Sequence, residues 1–157
     1  MVILDMQINI EVTDKKYDGT LREVVKVNAD NLMEEFSNHP STYAWFGAVC
    51  EICSSEVETA EFNIDVLKAK LDEEKRFDFD TNKVKATETM IRSSVLMDKR
   101  LNVAMEELIE MKKQHGILRA VVKALEHRKD MLVQLGSTKR QEEMLGDFNL
   151  KKIREHN

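Results

Sequence analysis

The sequence predicts a mainly α fold: a long antiparallel coiled-coil helical hairpin with a small N-terminal β-hairpin, oligomerising through its helices. Only five glycines and one proline occur in 157 residues, and 34% of residues are charged, which suits long helices and few tight turns. Two stretches keep apolar residues at heptad spacing, and the N-terminus alternates apolar and polar residues. The predicted parts are a β-hairpin appendage at 1–28, a helical hairpin domain at 29–145 with helices at about 41–75 and 87–135, and a flexible basic tail at 146–157.

The N-terminal hairpin is predicted from side-chain alternation and from turn residues. Residues 2–10 place apolar side chains on one face and polar side chains on the other, which is strand periodicity. Residues 13–19 end in Asp-Gly and predict a turn, so residues 20–27 become the second strand. Because a lone hairpin is only marginally stable, we expect it to pack on helices or to pair with another copy.

A short helix and then a break are expected next. Asn28 or Asp30 is a suitable N-cap for a helix that ends at Phe36. Residues 37–41 predict a helix break, because Pro40 is tolerated in the first turn of a new helix but not in a helix interior.

The first long helix, at about 41–75, has one row of apolar and small side chains whose spacing alternates between four and three residues. The row consists of Phe46, Cys50, Cys53, Val57, Ala60, Ile64, Leu67 and Leu71. The acidic residues lie off this row, so we expect a negatively charged outer side.

The second long helix, at about 87–135, keeps a heptad row and is expected to be continuous. The row is Met90, Met97, Ala104, Met111, Leu118, Leu125 and Leu132, with a companion row of Ser94, Leu101, Leu108, His115, Val122 and Lys129. At 1.5 Å per residue this helix would be about 70 Å long, so the first helix covers only part of it. The uncovered end, 114–135, is predicted to pack against another copy through Leu118, Val122, Leu125 and Leu132. Gly136 is expected to end the helix before a short one at 137–145.

Charge is distributed unevenly along the chain, although the net charge is only −5. Residues 1–83 carry nine basic and eighteen acidic residues, whereas residues 84–157 carry fifteen and eleven. The basic stretch offers candidate DNA-binding residues, which are Lys112, Lys113, Arg119, Lys123, Arg128, Lys129, Lys139 and Arg140. Two interpretations stay open: a solvated charged face, or non-specific binding of nucleic-acid phosphates.

Other local patterns have structural interpretations beside functional ones. Cys50 and Cys53 form a C-x-x-C pair, but both occupy the apolar row and no second pair of metal ligands follows, so buried structural cysteines are expected rather than a metal or redox site. Residues 78–82 begin like a calcium-binding loop, but Lys83 and Thr89 replace the glycine and glutamate that such a loop requires.

Three further residues or clusters sit at positions with two possible roles. His115 and Lys129 fall on the companion row, where a polar residue fixes register or oligomer state, although Lys129 alternatively reaches solvent beyond the first helix. The aromatic cluster at 43–46 is expected to be a core plug or an oligomer contact, with base stacking as the alternative.

The sequence lacks the motifs of an enzyme. We find no phosphate-cradling glycine loop, nucleophile elbow or histidine–carboxylate cluster at metal spacing, so we expect a binding or assembly protein without catalysis, cofactor or metal. No secretory signal opens the sequence, and no apolar run approaches the ~20 residues that cross a membrane. A cytoplasmic location is expected.

Three segments together resemble a known family. Tyr43-Ala-Trp45-Phe46 opens an acidic helix, Lys85-Ala-Thr-Glu88 follows a charged connector, and Leu125-Glu-His-Arg-Lys-Asp-Met-Leu132 lies in the long basic helix. Over roughly residues 30–142 the chain resembles the UvsY-type recombination mediator proteins of tailed phages.

The resemblance implies a ring-like homo-oligomer that binds single-stranded DNA in the host-cell cytoplasm. It also implies that the protein helps load a RecA-like recombinase onto strands covered by single-strand-binding protein. The eight basic residues named above would neutralise phosphates, with 139–140 secondary to the others. The alternative is a phage structural or assembly protein, scaffold-like, whose coiled coil binds only protein. The two hypotheses differ in what the basic stretch contacts.

Overall fold

The computed structural model describes the backbone of residues 7–12 and 15–155 and the side chains of residues 18–146. The described chain is mainly helical, with two short N-terminal strands and two long helices, as the sequence predicts at this level. The elements are β1 (Gln7–Val12), β2 (Lys15–Thr20), α1 (Leu21–Val25), α2 (Leu32–Thr81), α3 (Glu88–Leu96) and α4 (Lys99–Glu155). No described helix contains a segment long and apolar enough to cross a membrane.

The N-terminal strands pair as an antiparallel hairpin, with Gln7 opposite Thr20. The second strand comes earlier than predicted, and the prediction of a strand at 20–27 was wrong because Thr20 starts α1. Its hydroxyl accepts a hydrogen bond from the Glu23 backbone N–H at 3.3 Å, and the Glu23 carboxylate accepts one from the Thr20 backbone N–H at 2.7 Å. This capping box satisfies two backbone donors at once and favours a helix over a strand. Residues 1–6 and 13–14, also part of the predicted hairpin, lie outside the described residues.

Asn28 is an N-cap, as predicted, but the helix that follows is not short. The Asn28 side chain accepts a hydrogen bond from the Asp30 N–H at 3.1 Å and caps a 3₁₀ turn, Ala29–Asn31, that leads directly into α2. The first long helix therefore begins about nine residues before the predicted start at 41.

The predicted break at residues 37–41 was wrong, because α2 continues through Pro40. A proline inside a helix costs about 3 kcal/mol or more. Leu32 lies on the N-terminal side of the proline and Phe46 on the C-terminal side, and both are buried. Burial of these two segments of α2 offsets the cost of the proline between them.

The predicted helix at 87–135 is two helices, α3 and α4. Asp98 separates them, since its carboxylate accepts a hydrogen bond from the Arg100 N–H at 3.0 Å and its carbonyl accepts one from the Asn102 N–H at 3.1 Å. This is N-cap geometry, and aspartate is among the preferred N-cap residues. Met97, predicted to lie on the apolar row, is instead exposed at the break.

At its other end α4 runs on to Glu155, so residues 137–145 and most of the predicted tail belong to the same helix. The expectation that Gly136 ends the helix was wrong. A Cβ atom on Gly136 would lie 2.9 Å from Cζ of Phe36, so the glycine serves a close approach to α2 instead of a helix stop.

The chain divides into two compact units. The terminal unit comprises Met1–Val49 and Arg119–Asn157, and the central unit comprises Cys50–Leu118. Both long helices contribute a segment to each unit.

The core of the central unit consists of aliphatic side chains from three helices. Ile64 and Leu71 of α2, Val95 of α3 and Leu101 of α4 form one buried cluster. Two ion pairs flank it, Glu74–Arg100 at 2.6 Å and Glu61–Lys112 at 2.7 Å. The contact partners therefore follow each other in opposite order along α2 and α4.

The terminal unit has a core of its own. The buried side chains of α1 and α2 are Val24, Leu32, His39, Phe46 and Val49, and those of α4 are Val121, Leu125 and Leu132. Because α2 starts at Leu32, these α4 residues have an α2 segment within their own unit.

Candidate nucleic-acid interface

The eight basic residues predicted to bind DNA fall into three groups. Lys112 and Lys113, in the central unit, are exposed but already engaged with carboxylates of the same chain. Nζ of Lys112 lies 2.7 Å from Oε1 of Glu61, and Nζ of Lys113 lies 3.1 Å from Glu110. The hydrogen bond from Lys113 lowers the pKa of Glu110, which keeps that carboxylate ionised beside it. These two lysines are therefore partly neutralised.

Arg128 forms the second group, because its side chain is only 10% exposed. Its Nη2 forms an ion pair with Glu35, and Nε and Nη2 donate hydrogen bonds to the Lys26 carbonyl at 3.1 and 2.9 Å. Its Nη1 donates to Nδ1 of His39 at 3.0 Å. A guanidinium with these contacts has little left to offer a phosphate, which counts against the prediction of Arg128 as a DNA contact.

The burial of Arg128 follows from the inner row of α4 in the terminal unit. This row is Val121, Leu125, Arg128 and Leu132, whereas the prediction placed Val122 and Lys129 on it. An α-helix has 3.6 residues per turn, and a row drawn at strict heptad spacing drifts by about 20° per heptad. Val122 is half-buried as a result, and Lys129 is exposed to solvent, which was the alternative considered for it.

His39 and Glu35 are site residues that the sequence analysis missed. Because arginine only donates hydrogen bonds, Nδ1 of His39 must accept, which makes the ring neutral with its proton on Nε2. Burial, and then the positive charges of Arg128 and Lys129, lower the pKa of His39. A signal was present: His39 lies seven residues before Phe46 and so continues the apolar row of α2 backwards.

The third group consists of exposed cations on the terminal-unit segment of α4, which are Arg119, Lys123, Lys129, Lys139 and Arg140. We call them the α4 cations. Arg119 and Lys123 are four residues apart and neighbour each other on one side of the helix. Lys129 and Arg140 are eleven residues apart, about three turns, and so share another side. Only Lys129 has a carboxylate within ion-pair distance among the described residues, Asp130 at 3.5 Å.

Several carboxylates lie near these cations: Asp30 and Glu143 line one cavity with Lys139 and Arg140, and Glu126 is engaged elsewhere. Glu126 accepts a hydrogen bond from the Tyr43 hydroxyl at 3.0 Å, which raises the pKa of that tyrosine. The α4 cations extend over about six turns of one helix. Positive charge spread in this way suits a phosphate backbone and carries no base specificity.

The aromatic cluster at 43–46 is partly a core element. Phe46 is buried, and Trp45 packs edge-on against it with ring centroids 4.7 Å apart. Tyr43 lies over the ring of His39 with centroids 6.2 Å apart. A buried phenylalanine cannot stack on a base, so Phe46 acts as a core residue, as one of the two interpretations expected.

The predicted oligomer contacts are used within the chain itself. Leu118, Leu125 and Leu132 are each at most 2% exposed in the single chain, and Val122 is half-buried. The prediction that residues 114–135 lack an internal partner was wrong, because α2 is longer than predicted at its N-terminal end. Leu118, Leu125 and Leu132 are core residues that offer no surface to a second copy, whereas Val122 keeps part of its surface exposed.

The two cysteines lie where the apolar row placed them. Cys50 is buried and Cys53 half-buried, and burial raises the pKa of the Cys53 thiol, which makes a reactive thiolate unfavourable.

Asp78 and Asp80 belong to the last turn of α2, and the Asn82 side chain donates to the Asp78 carbonyl at 2.7 Å. Within the described residues no three His, Cys, Asp or Glu side chains converge as metal ligands.

The chain matches no family model, and no curated protein or solved structure matches it either.

Proposed function

We propose that this protein is a phage recombination mediator that binds single-stranded DNA non-specifically as a homo-oligomer and helps load a RecA-like recombinase. The single observation that supports DNA binding is the set of α4 cations, which are exposed and, Lys129 apart, lack a carboxylate partner among the described residues. The protein acts by binding, without catalysis or a cofactor.

Phosphate binding needs only fixed positive charge that faces solvent. Each phosphate neutralised on a single strand releases counterions, so the affinity falls with salt by a slope of about 0.7 per contact. A few contacts per copy give weak binding, but several copies on one strand raise the effective affinity strongly. Self-association is therefore part of the proposal, and it explains how a chain of net charge −5 holds DNA.

We infer that α2 and α4 form an antiparallel helical pair within each unit. In the terminal unit Glu35 contacts Arg128 and Tyr43 contacts Glu126, so the partners again follow opposite order along the two helices. Such a pair holds α4 rigidly and keeps its cations at fixed spacing, which lowers the ordering cost of binding. The recombinase and the single-strand-binding protein enter the proposal through the resemblance to UvsY-type mediators.

A scaffold-like phage assembly protein is the second candidate, and one observation favours it. The ion pairs of Lys112 and Lys113 partly neutralise two of the eight predicted DNA contacts, and the burial of Arg128 counts against a third. In this alternative the remaining cations face acidic surfaces of protein partners.

The deciding experiment measures the fluorescence anisotropy of a labelled single-stranded oligonucleotide across a salt series. We expect the double variant Arg119→Glu/Lys123→Glu to bind at least tenfold more weakly than the wild type at low salt and to show a shallower salt slope, because two contacts per copy are lost. The mass in solution should not change, since both side chains are exposed.

The matched control is Lys70→Glu/Lys99→Glu, which changes the net charge equally at exposed residues of the central unit. The control should retain wild-type affinity. Equal losses in both double variants would mean that only overall charge matters, and an assembled wild type that binds no single strand at low salt would leave the scaffold alternative.

A further inference from the structure

Besides the rows that face the core, the two long helices of the central unit each carry a second regular row. On α2 the row is Glu51, Ser55, Glu58 and Phe62, and on α4 it is Met105, Ile109, Lys112 and Gly116. We call them the outer α2 row and the outer α4 row. In both rows the spacing is four, three and four residues, which is the spacing of a coiled-coil contact, and every member is exposed.

Large apolar side chains of these rows face solvent. Phe62 is 68% exposed and Ile109 is 64% exposed, and Met105 is also exposed. Phe62 lies on the side of α2 opposite the core residue Ile64, and Met105 and Ile109 lie beside the core residues Leu101 and Leu108 on α4. Exposed apolar side chains at contact spacing, in addition to the residues that already pack in the core, are typical of a second helix–helix interface.

The charges of the two rows are complementary. Glu51 and Glu58 of the outer α2 row have no ion pair with a described residue. Lys112 is the charged member of the outer α4 row, and its ammonium group, which has three donors, contacts Glu61 through a single oxygen at 2.7 Å. Acidic groups without a partner therefore lie on one row, and a lysine with donors to spare lies on the other.

We propose that the outer α2 row of one copy packs on the outer α4 row of a second copy, with the two helices antiparallel. Because both rows have the same spacing, one alignment sets Phe62 against Met105 with Ile109 beside it. The same alignment sets Lys112 over Ser55, between Glu51 and Glu58. The apolar ends of the rows then meet, and the lysine lies between two glutamates.

The contact is heterologous, because different surfaces of the two copies meet. Each added copy leaves one outer α2 row and one outer α4 row unpaired, so the assembly grows until it closes as a ring or continues as a filament. This inference rests on the self-association in the proposed function, and not on DNA binding. It replaces the predicted contacts at Leu118 and Leu125, which are buried within the chain.

The test introduces a charge into one row at a time. Phe62→Glu blocks the outer α2 row, and Ile109→Glu sets a carboxylate against Glu58 and blocks the outer α4 row. Both side chains are exposed, so folding is expected to be unaffected, and circular dichroism checks it. The mass in solution is measured by light scattering on the wild type, on each variant alone, and on an equimolar mixture of the two. Val103→Glu, at a residue of α4 that is 54% exposed and off the row, is the matched control.

We expect an assembled wild type and control, single copies for each variant alone, and a two-copy species in the mixture. A heterologous contact gives this last result together with a wild type larger than two copies, because the mixture restores one intact pair of rows and leaves both outer ends blocked. The inference is overturned if the wild type is a single copy, if only one variant loses assembly, or if the mixture stays as single copies.

Oligonucleotide binding on the same samples separates this inference from the proposed function. If the wild type binds single strands and both variants keep the wild-type mass, only the interface is overturned. If the wild type is assembled and both variants lose assembly, but the wild type binds no DNA, only the proposed function is overturned.

Discussion

Arg128 is a cation that the fold withdraws from solvent. Its donors are directed at the Glu35 carboxylate, the Lys26 carbonyl and the His39 ring. Glu35 also accepts a hydrogen bond from the Asn28 N–H at 2.9 Å, so the cluster connects α4 with the start of α2 and the segment before it. Removing one partner of a buried charge typically costs about 3–5 kcal/mol, because the other charge stays buried without compensation. We assign the cluster a role in stability.

His39 should make the stability depend on pH. The folded chain holds the pKa of His39 below its ordinary value of 6.5, whereas the unfolded chain restores that value. As the pH falls through 6.5, the unfolded state therefore takes up a proton more readily than the folded state, and the free energy of unfolding decreases. We expect urea unfolding to show lower stability at about pH 5.5 than at about pH 7.5.

The control for this prediction is His39→Gln, which keeps an acceptor for Arg128 but does not titrate. Carboxylates contribute to the pH dependence of both proteins, so the difference between them isolates His39. An equal loss of stability in the wild type and in His39→Gln would show that the histidine is not the titrating group.

At the scale of the helices, apolar spacing predicts a helix well where every row member is apolar or small. The row from Phe46 to Leu71 meets this condition and was located correctly. The same spacing continues back through Tyr43, His39, Phe36 and Leu32, but a histidine followed by a proline interrupts the apolar pattern. The polar ring is tolerated inside because Arg128, 89 residues away, contacts it. Local sequence does not contain that partner.

Whether Arg128 or Lys129 faces the core also depends on a partner that is distant in the sequence. The two are neighbours of equal charge, and a drift of the row by a fraction of a turn exchanges them. What selects arginine is its planar fork of donors, which reaches the Glu35 carboxylate, the Lys26 carbonyl and the His39 ring at once. Glu35 lies 93 residues away, so the selection depends on a contact that periodicity alone does not show.

Gly136 provides a test of helix packing in the terminal unit. Glycine inside a helix is usually about 1 kcal/mol worse than alanine. A Cβ on Gly47 has nothing within 4 Å, so Gly47→Ala should stabilise the protein by roughly that amount. Gly136→Ala should not stabilise it, since the added Cβ would lie 2.9 Å from Cζ and 3.2 Å from Cε2 of Phe36. Thermal or urea unfolding measures the difference.

The double variant Phe36→Ala/Gly136→Ala is the control for that contact. With the ring removed, the second substitution should regain the usual benefit of alanine in a helix. A Gly136→Ala variant as stabilised as Gly47→Ala would show that the close approach does not exist in solution.

For the whole molecule, sequence reasoning located the basic end of α4 but not which of its cations face solvent. The charge asymmetry between the halves is visible from counting, whereas the ion pair of Lys112 with Glu61 depends on how α2 and α4 align. The outer rows were missed for a similar reason. In the sequence their acidic members are visible only as residues off the apolar row. The rows can be proposed as a contact surface only once the structure shows that the apolar row is already buried within the chain.

Leu125 separates folding from assembly in the whole molecule. The side chain is fully buried in the single chain, so Leu125→Ala should lower the free energy of unfolding by about 2–5 kcal/mol through lost burial and a cavity. The mass of the folded protein should stay that of the wild type, because the residue offers no surface to another copy. Denaturant unfolding and light scattering measure the two quantities, and loss of assembly in a variant of unchanged stability would restore Leu125 to an oligomer interface.

The contact between Phe36 and Gly136 has a further consequence during folding. Heptad rows repeat, so a slip of seven residues between the two helices would still set many apolar residues against each other. Such a slip would place Phe36 against Lys129 or Glu143, both of which carry a Cβ and a charge where glycine leaves room for the ring. Misaligned pairings are thereby raised in energy relative to the native one, and the folding chain is directed to a single alignment of its helices.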